Sequence, residues 1–219
     1  MPAVDFTTIQ LILEFVGTAA FAISGALLAG RKHMDLGGVV VLGVLVAVGG
    51  GTIRDLLLGI NPVVWVGNPV FVLFAAVVAL ATIPLTNVGA IKVIERHRLV
   101  TIFDAAGMAL FVVSGTSTAL SVGADWLSAV VIGVVTGIAG GIIRDVLANK
   151  IPYLLNSGEI YATAAFIGGL LHVALSQAGF SQLTALWVPV AVIFGIRLLA
   201  IRRNWSVPRF KVQDDDEGG

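Results

Sequence analysis

Two short segments hold most of the charge found inside the apolar stretches of this chain. Gly49-Gly50-Gly51-Thr52-Ile53-Arg54-Asp55 sets three glycines before an arginine–aspartate pair, and Ala139-Gly140-Gly141-Ile142-Ile143-Arg144-Asp145 repeats the arrangement ninety residues later. A glycine in a helix interior costs about 1 kcal/mol relative to alanine, so both segments are expected to loosen or break a helix. Freed carbonyls at a half-helix C-terminus suit cations, and freed amides at an N-terminus suit anions. The carboxylates of Asp55 and Asp145 are the candidate cation contacts. A packing role is compatible with this: Gly43, Ala47 and Gly51, like Gly133, Gly137 and Gly141, form a small-residue stripe that admits a neighbouring helix.

That stripe, continued by one turn, reaches Asp55 and Asp145, whereas Arg54 and Arg144 lie about 100° away on an ideal helix. Adjacent Arg and Asp are therefore not expected to pair, and a charge inside a helix bundle needs a partner. Glu14 and Asp104 supply it: the expected ion pairs are Glu14 with Arg54 and Asp104 with Arg144, either as locks between helices or as part of an ion path. The hydroxyls of Thr18, Ser24, Ser114, Thr116, Ser117 and Thr118 could line that path or bond back to their own helices. His172 reads as an interior histidine, His33 and His97 as solvated, and Arg197 as a side chain that snorkels. No hydrolase, kinase, zinc or nucleotide motif appears, and the glycine triplet lacks the lysine and spacing of a phosphate loop. No enzymatic activity and no cofactor are expected.

The elements that must position these residues follow from composition. Hydrophobic residues make up 58% of 219 and charged residues 12%, with a mean hydropathy of +1.00, where soluble domains carry about a quarter charged residues. The chain reads as an all-α membrane protein. Its zero formal charge argues against a nucleic-acid partner, and the lack of cysteine excludes disulfides and thiolate metal sites. A bilayer core of about 30 Å needs roughly 20 apolar residues per helix, which predicts seven transmembrane helices near 8–29, 37–58, 69–86, 99–121, 126–147, 159–177 and 184–201.

Arg31, Lys32, Lys92, Arg96, Arg98, Lys150, Arg202, Arg203, Arg209 and Lys211 all fall in connections on one side. By the positive-inside rule the C-terminus is cytoplasmic and the N-terminus outside, with the first apolar stretch retained. Trp65, Trp126 and Trp187 then mark the outer interface and Trp205 the inner one. Residues 1–206 form one transmembrane domain, and 207–219 a disordered cytoplasmic tail.

The ninety-residue offset runs without a gap from Glu14 to Pro62: Gly17 matches Gly107, Phe21 matches Phe111, Ser24-Gly25 matches Ser114-Gly115 and Asp35 matches Asp125. Each copy holds three spans, about 8–86 and 99–177. An odd number reverses the second copy, which predicts two inverted three-helix repeats plus a seventh helix.

GGGTIRD followed by LLLGINP, its AGGIIRDVL counterpart and the 3+3+1 span plan resemble the prokaryotic trimeric intracellular cation (TRIC) channel family, whose domain also carries a glycine-transporter label. The resemblance spans residues 6 to 205. It implies a homotrimer with one pore per protomer, enclosed by spans one, two, four and five, passing monovalent cations passively, potassium before sodium. It places Gly49, Gly50, Gly51, Gly140 and Gly141 at helix bends, with Arg54, Asp55, Arg144 and Asp145 just beyond. Ala139 stands where a full triplet has glycine, which implies a shallower second bend. The lysine-rich lipid-binding signature that eukaryotic relatives carry in place of Arg54-Asp55 is absent. The expected function is a potassium channel of the inner (cell) membrane whose partners are its own copies, membrane lipids and monovalent cations. A carrier for a small amino acid such as glycine and a non-transporting membrane protein are the alternatives.

Overall fold

A computed structural model describes residues 6–87, 93–156 and 160–203. Those residues form α1 (Phe6–Arg31), α2 (Leu36–Leu57), α3 (Val64–Gly67), α4 (Val70–Asn87), α5 (Val93–Ser121), α6 (Trp126–Leu147), α7 (Tyr153–Asn156), α8 (Ala162–Gln177) and α9 (Gln182–Arg203). α1, α2, α5, α6 and α9 are long and apolar enough to cross a membrane, and α4 and α8 are shorter apolar helices. The four-residue helices α3 and α7 were not anticipated from hydropathy, because each is too short to carry a periodic signal. The predicted tail with Trp205, Arg209 and Lys211, and also Lys92, lie outside the described residues, as do the side chains of Arg96 and His97.

Helix ends are set by local chemistry that recurs at the ninety-residue offset. Asp35 caps α2 by accepting from the amide of Gly38 at 2.7 Å, and Asp125 caps α6 by accepting from Leu127 at 2.9 Å and Ser128 at 3.2 Å. Helix C-termini leave through a left-handed residue: His33 (φ 55) after α1 matches Gly123 (φ 88) after α5, and Gly59 (φ 68) after α2 matches Asn149 (φ 51) after α6. Glycine and asparagine are the residues that adopt this conformation most readily.

α1, α2, α6 and α5 pack in a closed ring, each against the next. α4 lies against α1 and α2, α8 against α5 and α6, and α9 against α5 and α8. The bundle has two distinct ends. Gln10 of α1 donates to Thr118 of α5, which joins the start of one helix to the end of the other. At the opposite end Leu27, Leu28, Val100 and Ala148 form a separate apolar cluster. Lys150 follows there, its pKa lowered first by burial and then by the charges of Arg31 and Lys32, so the basic residues of two connections meet.

The expected break in α2 and α6 is not found. Both helices run unbroken through Gly49–Gly51 and Gly140–Gly141. Backbone hydrogen bonds carry the helix through, and what the glycines supply is proximity. A methyl group on Gly50 would collide with the carbonyl of Thr136, and one on Gly140 would stand 2.9 Å from the carbonyl of Val46. α2 and α6 therefore cross backbone to backbone at this glycine pair. The stripe at Gly43 and Gly137 faces elsewhere, Gly43 toward Ala79 of α4 and Gly137 toward the Met108 carbonyl of α5.

Candidate functional site

Inside the ring, two charged clusters form around the two arginines. Arg54 donates from Nη1 to Oε1 of Glu14 at 2.6 Å and from Nε to Oδ1 of Asp55 at 2.8 Å. Arg144 donates from Nη1 to Oδ1 of Asp104 at 2.6 Å and from Nε to Oδ1 of Asp145 at 2.9 Å. Both pairings expected across forty residues are present. The adjacent pairs, expected not to form, are present too. The 100° between neighbours describes where side chains leave the helix; the long arginine stem curls back and its guanidinium fork grips the neighbouring carboxylate while one nitrogen reaches across. Each arginine thus faces two carboxylates, and each cluster carries a formal charge of minus one when both are ionised.

Asp55 and Asp145 spend their second oxygen on the backbone. Oδ2 of Asp55 accepts from the amide of Val64 at 2.8 Å, and Oδ2 of Asp145 accepts from Tyr153 at 2.9 Å. These bonds fix the starts of α3 and α7 against the ring. Both carboxylates are buried, at 1% and 6% exposure, and their direct partners are protein groups.

Two serines cross between clusters. Ser114 of α5 donates to Oε1 of Glu14 at 3.2 Å, and Ser24 of α1 accepts from Nη1 of Arg144 at 2.8 Å while donating to the carbonyl of Val100 at 3.0 Å. α1 and α5 therefore each contribute to both clusters. Thr116 and Thr118 bond back to carbonyls of their own helix, as does Thr52 of α2.

Between the clusters the rings of Phe21 and Phe111 stack with centroids 5.5 Å apart. A methyl on Gly17 would meet the Phe111 ring at 2.9 Å, and one on Gly107 the Phe21 ring at 2.8 Å. Phe21 and Phe111 were matched in sequence, yet nothing there assigned them a shared place. The small residues Gly17 and Gly107 opposite them were the available signal.

Glu14, Thr18, Gly51, Arg54, Asp55 and Phe111 border a small cavity of about 30 Å³, which Val64, Trp65 and Phe71 also line. The second cluster is occupied differently. The Tyr161 hydroxyl donates to Oδ2 of Asp104 at 2.8 Å, and the Arg197 guanidinium lies 4.5 Å over the Tyr161 ring. Arg197 does not snorkel: it is fully buried and donates to the carbonyl of Ile160 at 3.4 Å. The rings of Tyr153 and Tyr161, set edge to face, hold it inside. Hydropathy could not anticipate this, since the residues that retain Arg197 come from a distant part of the chain. His172 is interior as expected, with Nδ1 2.8 Å from the carbonyl of Ala185.

A polar, charge-bearing ring of four helices with this glycine crossing has relatives of known structure. The family described as "Glycine transporter" matches residues 11–87 and again residues 101–177. The trimeric intracellular cation channel orthologue from Rhodobacter sphaeroides is 39% identical, with 90% of this chain and 100% of that one covered and a TM-score of 0.85. The chain belongs to the TRIC family. A prokaryotic TRIC channel solved in 0.5 M KCl superposes with a TM-score of 0.85 at 33% identity, over 92% of this chain and all of that one. The UPF0126 inner membrane protein YadS of Escherichia coli is 46% identical over 208 residues, covering 93% of this chain and 97% of its own length. The twofold match of the family description falls on the two segments that each build one charged cluster.

Proposed function

We propose that the protein is a passive monovalent-cation channel that passes potassium, in which each protomer of a homotrimer carries its own path through the ring of α1, α2, α5 and α6. The observation that carries this reading is the pair of clusters, Glu14–Arg54–Asp55 and Asp104–Arg144–Asp145, set toward opposite ends of one helix ring. Each holds two carboxylates against one guanidinium. A formal excess of one negative charge inside a low-dielectric ring favours cations over anions. Ser24 and Ser114 add hydroxyl oxygens, and the Gly50–Gly140 crossing is the point about which α2 and α6 can shift.

In this reading the two shorter apolar helices, α4 and α8, span the inner membrane together with α1, α2, α5, α6 and α9. Residues 8–86 and 99–177 are two inverted three-helix repeats, α9 is the seventh helix, and the N-terminus faces outward. The Rhodobacter sphaeroides relative, a trimeric cation channel, supports the trimer and the cation path, and the inner membrane protein YadS supports the location. Single-channel recording of the purified protein in planar bilayers tests it. Unitary potassium currents are expected; saturable glycine flux without unitary steps would replace the channel by the amino-acid carrier that the family description names.

A further inference from the structure

Two buried positions differ in kind between the halves of the chain. Ser117 and His172 stand ninety residues after Leu27 and Thr82. In the first half Leu27 belongs to an apolar cluster, and Thr82 bonds back to the carbonyl of Val78 at 2.8 Å. In the second half Ser117 is 5% exposed and His172 3%, and both line a cavity of about 400 Å³ where the ends of α5 and α8 meet the start of α9. α9, its third wall, lies outside the two segments matched by the family, 11–87 and 101–177.

Each of these two side chains keeps an unspent hydrogen-bonding atom. Nδ1 of His172 lies 2.8 Å from the carbonyl of Ala185. A carbonyl can only accept, so Nδ1 carries the proton and Nε2 of the neutral ring presents a lone pair. Among the described residues no protein group bonds Nε2, and none bonds the Ser117 hydroxyl, although Thr116 and Thr118 on either side bond back to their own helix. Buried polar atoms of this kind are satisfied by water or by a ligand. One water takes up roughly 30 Å³ of liquid, and small-molecule sites measure about 300–1,000 Å³. A cavity of about 400 Å³ has the size of the second.

The lining defines the chemistry. Ser121 and Ser176 stand at the exposed rim and Gln182 beside them, while Leu120, Ala185 and Leu186 form an apolar wall. No described residue that lines the cavity is charged, so an ion would enter without a counter-charge, at a cost of several kcal/mol. The ligand is therefore neutral, brings a hydrogen-bond donor to Nε2, and has an apolar face. We propose that this cavity is a binding site for a small neutral polyol of about pyranose size, held by His172 and Ser117 through its hydroxyls and by the leucine wall through its carbon–hydrogen face. The site is separate from both charged clusters, and in the orientation proposed above it opens toward the outer side.

Saturation-transfer NMR on the intact protein, purified in lauryldimethylamine oxide so that no detergent hydroxyl competes, tests it with methyl β-glucoside as the probe and glucuronate as its charged counterpart. Saturable binding of the glucoside and none of glucuronate is expected. Ser117→Ala leaves the His172–Ala185 bond intact and should weaken binding about fivefold, the loss of one neutral hydrogen bond. Ser117→Leu, which installs the residue found at position 27, should abolish it. Wild type that does not bind the glucoside, or binds glucuronate equally well, would overturn the proposal. So would a folded Ser117→Leu variant with wild-type affinity, and if that variant does not fold, wild-type affinity in Ser117→Ala overturns it instead. Binding is read without any current, so the outcome is independent of the channel reading.

Discussion

Arg54 binds Glu14, forty residues earlier in the chain, and Asp55, the very next residue, with one guanidinium. The arrangement is repeated at Arg144 with Asp104 and Asp145. The arginine is therefore the shared counter-ion of two buried carboxylates, and its loss leaves both uncompensated.

Arg54→Met should destabilise the protein by about 3–5 kcal/mol, the range for removing one partner of a buried ion pair. Thermal unfolding in detergent measures it. Replacing Glu14 and Arg54 together by glutamine and methionine should recover part of the loss, because fewer charges are then stranded. A double variant less stable than Arg54→Met would contradict the shared counter-ion.

The glycine triplet should respond unequally. A methyl on Gly50 collides with the Thr136 carbonyl, whereas one on Gly51 meets its nearest neighbours, in Arg54 and Phe111, at 3.9 Å. Gly50→Ala should cost about 1–3 kcal/mol through overpacking, and Gly51→Ala should be neutral or slightly stabilising. Equal melting temperatures for the two would show that the α2–α6 crossing is looser than described.

Asp55→Asn keeps an acceptor for the Val64 amide and removes one negative charge. Unitary potassium conductance should fall, and fall more at about 0.05 M salt than at 1 M, where the Debye length shrinks to roughly 3 Å. A salt-independent change would assign the effect to geometry instead of charge.

Asp125 caps α6 from outside the membrane-spanning part, and its hydrogen bonds from Ser128 and Leu127 hold its carboxyl below the usual range. A folded-state pKa below the unfolded one adds stability that is fully present above the unfolded value, about 3.9, and is lost as pH falls through the folded one. Asp125→Ala should therefore melt at a lower temperature than wild type at pH near 7. The gap should close as the pH drops below about 4. A gap that persists undiminished in acid would show that the side chain acts through something other than its charge.

Much of the frame is legible in the chain. Hydropathy placed the long helices to within a few residues, since apolar length is a local property. Span order and orientation put Glu14 at the depth of Arg54 and Asp104 at the depth of Arg144, and the ninety-residue offset makes the two pairs counterparts, because matched positions must solve matched burial problems. It did not reveal the crossing of Ser24 and Ser114 to the opposite clusters, nor the cap-like bonds from Asp55 to Val64 and from Asp145 to Tyr153. These depend on where helices pass one another and on how the loops fold back.

The sequence by itself determined a membrane-embedded helical chain, internally repeated, whose few interior charges had to find one another. Burial energy and helix periodicity act along the chain and leave their record in its order. Only the tertiary structure decided that the glycines serve a close crossing instead of a break, that each arginine grips its own neighbour, and that Arg197 is enclosed by Tyr153 and Tyr161. Those outcomes depend on side chains brought together from distant positions, and a flexible arginine stem has several reachable partners until packing leaves it one arrangement.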